Sequence, residues 1–132
     1  MDTNYLFVYG LLKSTFENEA AQLVRTHCEL IGEGSFPGYL YNLGEYPGVI
    51  YDESSPYIVH GEVFKIDTEK EKLIQFLDEF EGLGEQVEQP NEYRKEIIPV
   101  KTEKGTLQAR CYIYNLEPDG FTLIESGRYD CN

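Results

Sequence analysis

The chain has no tryptophan, a single methionine, and only 11 lysine and arginine residues against 24 aspartate and glutamate residues. That shortage of positive charge leaves a formal net charge of −13. Nucleic-acid binding works by displacing counterions from phosphates and needs a basic surface, so the balance excludes that class of partner. An anionic membrane surface is excluded on the same ground. No apolar run approaches the ~20 residues of a membrane-spanning helix, and the mean hydropathy is −0.44. There is no C-x-x-C pair, so zinc clusters and thioredoxin-like chemistry have no anchor, and no metal site is expected. Cys28, Cys111 and Cys131 are odd in number and widely spaced, which reads as three reduced thiols. His27 stands beside Cys28, but neighbours in a strand point to opposite faces, which argues against a Cys–His dyad. No N-x-[ST] sequon occurs, and Met1-Asp2-Thr3-Asn4-Tyr5 offers no basic, apolar leader. A cytoplasmic protein of one domain over residues 1–132 is the expectation.

What the sequence does have is tyrosine, 11 of them with 7 phenylalanines. Tyrosine combines an apolar ring with a polar tip and suits either a β-rich framework or the wall of a pocket. Tyr5-Leu6-Phe7-Val8-Tyr9 reads as a buried strand that stops at Gly10. Residues 18–25, with Ala20, Ala21, Leu23 and Val24, predict a helix. Cys28 to Ser35 predicts a strand whose glycines mark bulges or tight bends. Residues 36–48 are dense in Pro, Gly and Tyr and predict short strands joined by tight turns. Val59 to Ile66 alternates cleanly, with Val59, Gly61 and Val63 on one face and His60, Glu62 and Phe64 on the other. Thr68 with Glu71 makes a capping box for a helix running to about Phe80, before Gly82. Two further strands, 93–101 and 106–114, flank a hairpin turn at Glu103-Lys104-Gly105. Many short strands with one strong helix predict an α+β domain built on a curled or closed sheet.

The helix ending near Phe80 carries an anomaly. At about 100° per residue, Glu81 falls inside the apolar stripe of Leu73, Ile74, Leu77 and Phe80. It also stands at the helix C-terminus, where the macrodipole disfavours negative charge. Burial and the dipole both raise a carboxyl pKa, which suits a general acid/base. The ordinary alternative is a frayed helix end with Glu81 in solvent. The Tyr9-Gly10 turn supplies a second candidate, because backbone N–H groups in such a turn can hold a carboxylate or a developing oxyanion. A strand that merely turns is the ordinary alternative there. Glu62 is a fallback acid, although strand glutamates usually face solvent.

Together these segments resemble the gamma-glutamylcyclotransferase-like family, closest to its gamma-glutamylamine cyclotransferase branch. Phe7-Val8-Tyr9-Gly10-Leu11-Leu12-Lys13 resembles the signature V-Y-G-[ST]-L-[KR]. Phe76-Leu77-Asp78-Glu79-Phe80-Glu81-Gly82 resembles the catalytic segment L-D-x-[FY]-E-G. Tyr39-Leu40-Tyr41 to Pro47, Val59-His60-Gly61-Glu62-Val63-Phe64 and Tyr93-Arg94 follow the family's order and spacing. The likeness spans residues 5 to 114.

The resemblance implies a small mixed β-barrel with flanking helices. It implies a reaction in which the free α-amine of a gamma-glutamyl group attacks its own γ-carbonyl, giving 5-oxoproline and a released amine or amino acid. It implies Glu81 as the general acid/base. Tyr9, Gly10, Leu11 and Leu12 would be the substrate-binding turn, with Tyr114 as a pocket residue. No cofactor is implied, and the partner is a small gamma-glutamyl substrate. Leu11 departs from the family's Ser or Thr, which keeps a non-catalytic metabolite-binding or protein-interaction role as the alternative. The leaving group would be chosen by the loops at residues 44–56 and 82–91.

Overall fold

Alternation along the strands decides what each of them presents to the two sides of the sheet. In the computed structural model, which describes residues 3–10, 18–44, 46–80, 93–118 and 120–129, the first aromatic run forms β1 (Tyr5–Val8). Leu6 and Val8 pack toward the helices, whereas Phe7 and the following Tyr9 point into the sheet's concave interior. The same period of two runs through β4 (Ile58–Ile66) and β6 (Gly105–Tyr114). Val59, Val63, Ala109, Cys111 and Ile113 face the interior, while Phe64, Ile66, Tyr112 and Tyr114 face the helices.

The helices cover that outer face. α1 (Glu19–His27) starts where Asn18 Oδ1 accepts the Ala21 N–H at 2.8 Å, the N-cap geometry that satisfies an otherwise unpaired helix donor. It buries Ala20, Ala21 and Val24. α2 (Lys70–Phe80) buries Leu73 and Leu77 in the same cluster. The expected capping box is not what opens α2. Thr68 Oγ1 lies 3.0 Å from His27 Nδ1 instead, so the hydroxyl ties α2's entry to the end of α1. Among the described residues no helix is long and apolar enough to cross a membrane.

Five strands close into a barrel in the order β2-β4-β1-β6-β5, with β2 (Cys28–Asn42) meeting β5 (Tyr93–Thr102) at Ser35 and Lys101. β1 runs antiparallel to β4 and parallel to β6, so the barrel is mixed. Closure removes the open edges that would otherwise template aggregation. β5 and β6 form the predicted hairpin, with Thr102 paired to Gly105 across the turn. The predicted glycine irregularity in β2 is a bulge between Leu30 and Gly32, and Gly32 has a φ of 146°.

A second expectation is replaced. Residues 36–42 do not break into short pieces, because β2 runs unbroken through Pro37-Gly38 for 15 residues. The strand changes partner there rather than turning. Up to Pro37 it pairs with β4, and from Gly38 onward with β3 (Pro47–Tyr51). Its far end also pairs with β7 (Thr122–Leu123), through Tyr41 and Asn42.

Inside the barrel Gly34 of β2 pairs with Gly61 of β4. A Cβ on Gly34 would meet Val100 Cγ1 at 2.6 Å and Val63 Cγ2 at 2.7 Å, and one on Gly61 would meet Phe7 Cζ at 2.7 Å. We expect Gly61→Ala to lose about 2–3 kcal/mol of stability by overpacking, because the Val8 carbonyl oxygen also blocks the added methyl. Urea denaturation of both proteins measures it.

The junction of α1 and β2 holds the His27–Cys28 pair. His27 Nδ1 is engaged by Thr68. Burial, and then the charge of Asp67, push the Cys28 thiol up to about 12. That leaves on the order of one thiolate in ten thousand at pH 8. Cys111 is fully buried. In a Cys131→Ala background, we therefore expect no thiol to react with a chromogenic disulfide at pH 8 in the native state, and two to react in denaturant.

Candidate active site

One end of the barrel gathers the C-terminal ends of β1 and β6 and the N-terminal ends of β3 and β5. The parallel pairing of Leu6 with Arg110 carries Tyr9 and Gly10 up alongside the last residues of β6. The β5–β6 register places Tyr93 opposite Tyr114 at this end. Pro47, the first residue of β3, completes the group. A Cβ on Gly10 would meet Pro47 Cγ at 2.5 Å, so glycine is required here by the approach of the proline ring. A Cβ on Gly48 would meet Tyr114 Cβ at 3.1 Å. The backbones of β1, β3 and β6 thus come together where two glycines leave room.

Tyrosines pack this end, and their hydroxyl groups hold it. Tyr9 Oη donates to the Tyr112 carbonyl at 2.6 Å, and Tyr93 Oη donates to the Pro47 carbonyl at 2.6 Å. Both bonds are buried, where a lost partner costs more than in water. The rings of Tyr93 and Tyr114 meet edge to face with centroids 5.9 Å apart. Tyr46 lies 6.3 Å from Tyr93 on one side, and Phe121 lies edge-on to Tyr114 at 6.2 Å on the other. Phe121 is 39% exposed and Tyr114 only 5%, so Tyr114 lies beneath a partly open aromatic rim.

The last turn of α2 is tied to the same hairpin. Asp78 Oδ1 accepts the Tyr112 hydroxyl at 2.8 Å, and Asp78 Oδ2 accepts Lys95 Nζ at 2.8 Å. Lys95 and Tyr112 are direct partners across β5 and β6. Arg94 reaches over the strand ends, with its guanidinium 3.3 Å from Asn115 Oδ1 and 3.4 Å from the Tyr114 carbonyl. Glu62, the fallback acid, is half-buried on β4 opposite Val8. Among the described residues no group of three His, Cys, Asp or Glu side chains is placed to hold a metal ion.

Of the residues singled out in the sequence, Tyr9, Gly10 and Tyr114 lie together at this end of the barrel. Leu11, Leu12 and Glu81 lie outside the described residues; α2 is described through Phe80. Sequence reasoning passed over Pro47, Tyr93, Tyr112 and Asp78 as members of the constellation. A signal for two of them, Tyr93 and Tyr112, is present: counting outward from the hairpin turn pairs Lys95 with Tyr112 and Tyr93 with Tyr114. No local pattern announces the contact of Pro47 with Gly10, which lies between residues far apart in the chain.

Comparison with known proteins agrees with this architecture. The family model described as "Gamma-glutamyl cyclotransferase, AIG2-like" matches residues 6–131. The gamma-glutamylcyclotransferase family protein ytfP of Citrobacter rodentium is 35% identical over 94% of this chain and 93% of its own length. An AIG2-like protein from mouse shares the fold with a TM-score of 0.75 at 25% identity, over 98% of this chain and 90% of that one. YkqA of Bacillus subtilis superposes with a TM-score of 0.71 at 27% identity; the match covers 97% of this chain but only 40% of YkqA. The barrel, the helices on its outer face and the match over nearly the whole length make this chain a member of the gamma-glutamyl cyclotransferase, AIG2-like family.

Proposed function

We propose that the chain is a cytoplasmic cyclotransferase, acting as one domain on small molecules that carry a gamma-glutamyl group. The α-amine of the glutamyl group attacks its own γ-carbonyl. The C–N bond to the leaving amine breaks, and 5-oxoproline and the free amine or amino acid are released. Glu81 takes a proton from the α-ammonium and returns it to the leaving nitrogen, so protons balance over the cycle. The Tyr9–Leu12 turn holds the glutamyl moiety by backbone groups, with Tyr114 in the wall beside it. An α-ammonium ionises near pH 8, and a carboxyl with a raised pKa is suited to exchange a proton with it. The attack is intramolecular, so holding the chain folded back supplies much of the rate enhancement. The chemistry calls for no cofactor.

The observation that carries this reading is the meeting of Tyr9, Gly10 and Tyr114 at one end of the barrel, in a chain that matches the family over residues 6–131. Tyr9 and Tyr93 donate to backbone carbonyls and Tyr112 donates to Asp78, so these three hydroxyls hold the framework of that end. The family match supports the reaction class. The segment Leu77-Asp78-Glu79-Phe80-Glu81-Gly82 supplies the carboxyl directly after α2.

The test is 5-oxoproline release from a panel of gamma-glutamyl amines and dipeptides, wild type against Glu81→Gln. We expect the wild type to turn over at least one class and the variant to lose about 10²–10⁴-fold in kcat, the range of a general acid/base. An inert wild type across the panel overturns the reading. Equal activity of the two proteins removes Glu81 from the mechanism and moves the test to Glu62.

A further inference from the structure

The last turn of α2 contains an aspartate that the helix itself does not favour. Asp78 stands near the negative end of the macrodipole, and that turn carries no basic residue to offset it. Aspartate is also a weak helix former. Its carboxylate is nonetheless held off the solvent, with a side-chain exposure of 25%. Each oxygen has one donor, and the two donors come from different strands: Tyr112 on β6 and Lys95 on β5. Their cross-strand pairing makes both side chains rise from one face of the hairpin toward the helix.

Tyr112 is bonded at both of its polar ends. Its hydroxyl reaches Asp78, while its own carbonyl accepts the Tyr9 hydroxyl. The result is a continuous path from the last turn of α2, through one residue of β6, to the last residue before Gly10.

We propose that Asp78, acting through Tyr112, is a positioning residue that fixes the end of α2 against the Tyr9–Gly10 turn. The inference rests on the reading of Glu81 as acid/base, since Glu81 follows this helix by one position in the chain. Proton transfer requires heavy atoms within hydrogen-bond reach, and a misplacement of about 1 Å costs on the order of a hundredfold. A strut that holds the helix end therefore acts on kcat, not on substrate capture.

The test uses Asp78→Ala, Tyr112→Phe and Asp78→Asn in the full chain. We expect the first two to lower kcat at least tenfold with KM within about threefold. Asp78→Asn keeps an oxygen to accept the Tyr112 hydroxyl and should retain a third or more of kcat. Amide hydrogen exchange of residues 77–80, followed by mass spectrometry, should speed up in Tyr112→Phe and Asp78→Ala. Variants that melt earlier yet keep wild-type kcat well below their melting temperature overturn the positioning role. Unchanged exchange at residues 77–80 overturns the strut itself, whatever the activity. A wild type inert across the substrate panel fails the functional reading first and removes the catalytic consequence with it, and the exchange experiment then decides the strut alone.

Discussion

The ring of Phe7 fills the barrel interior at the level where β2 and β4 pair Gly34 with Gly61, and most of the architecture depends on that contact. An ordinary small barrel has an interior just wide enough for side chains to fill it. Here the aromatic ring takes the space that a Cβ on Gly61 would have used, while Val63 and Val100 fill the space beside Gly34, and the ring's centroid sits 5.1 Å from Phe36 in an edge-on contact. With Phe7 pointing inward, period-two alternation sends Leu6 and Val8 outward to the helices. A slip of one residue in β1 would reverse all three. Tyr9 must then point inward again, which is what brings its hydroxyl to the Tyr112 carbonyl.

The tyrosines have a shared physical task. A barrel end is where strands stop pairing, so carbonyl groups lose ladder partners, and burying them unpaired is costly. Tyr9 and Tyr93 donate to two buried carbonyls at this end, those of Tyr112 and Pro47, across many residues of sequence. Each ring meanwhile contributes apolar area to the core. The same residues therefore seal the end of the barrel and hold its strand ends in register, and the candidate site is built on that seal.

β2 is the other integrating element. A single strand of 15 residues serves the barrel in its first half and the smaller β3–β7 extension in its second. The change of partner falls at Pro37-Gly38. There the Gly38 N–H is satisfied by the Tyr57 carbonyl and the Pro37 carbonyl by the Asp52 N–H, at 3.1 and 3.2 Å. Proline lacks the donor that an uninterrupted ladder would demand, and at a handover between neighbours that donor is not needed.

Much of the framework was legible in residue order because it depends on local rules. The alternation in residues 5–9 and 59–66, the hairpin around residues 103–105 and the Asn18 start of α1 follow from period, turn chemistry and capping within short windows. Gly32 marked its bulge for the same reason. Gly10 was legible as a special position, although its cause, the Pro47 ring, was not. Other features required the closed barrel. Local rules read Pro37-Gly38 as a turn, and only the presence of two successive partners keeps β2 extended there. They read Thr68 as a helix cap, and only the packing of α1 beside α2 gives its hydroxyl to His27. The grouping of Tyr9, Pro47, Tyr93, Tyr112, Tyr114 and Asp78 arises from long-range register and from closure between Ser35 and Lys101. Outside the Pro37-Gly38 stretch of β2, the sequence by itself determined where the main strands and helices lie and which faces they bury, because those choices are made over a few residues. The tertiary structure alone decided which hydroxyl meets which carbonyl, because such a bond depends on strands brought together from opposite ends of the chain.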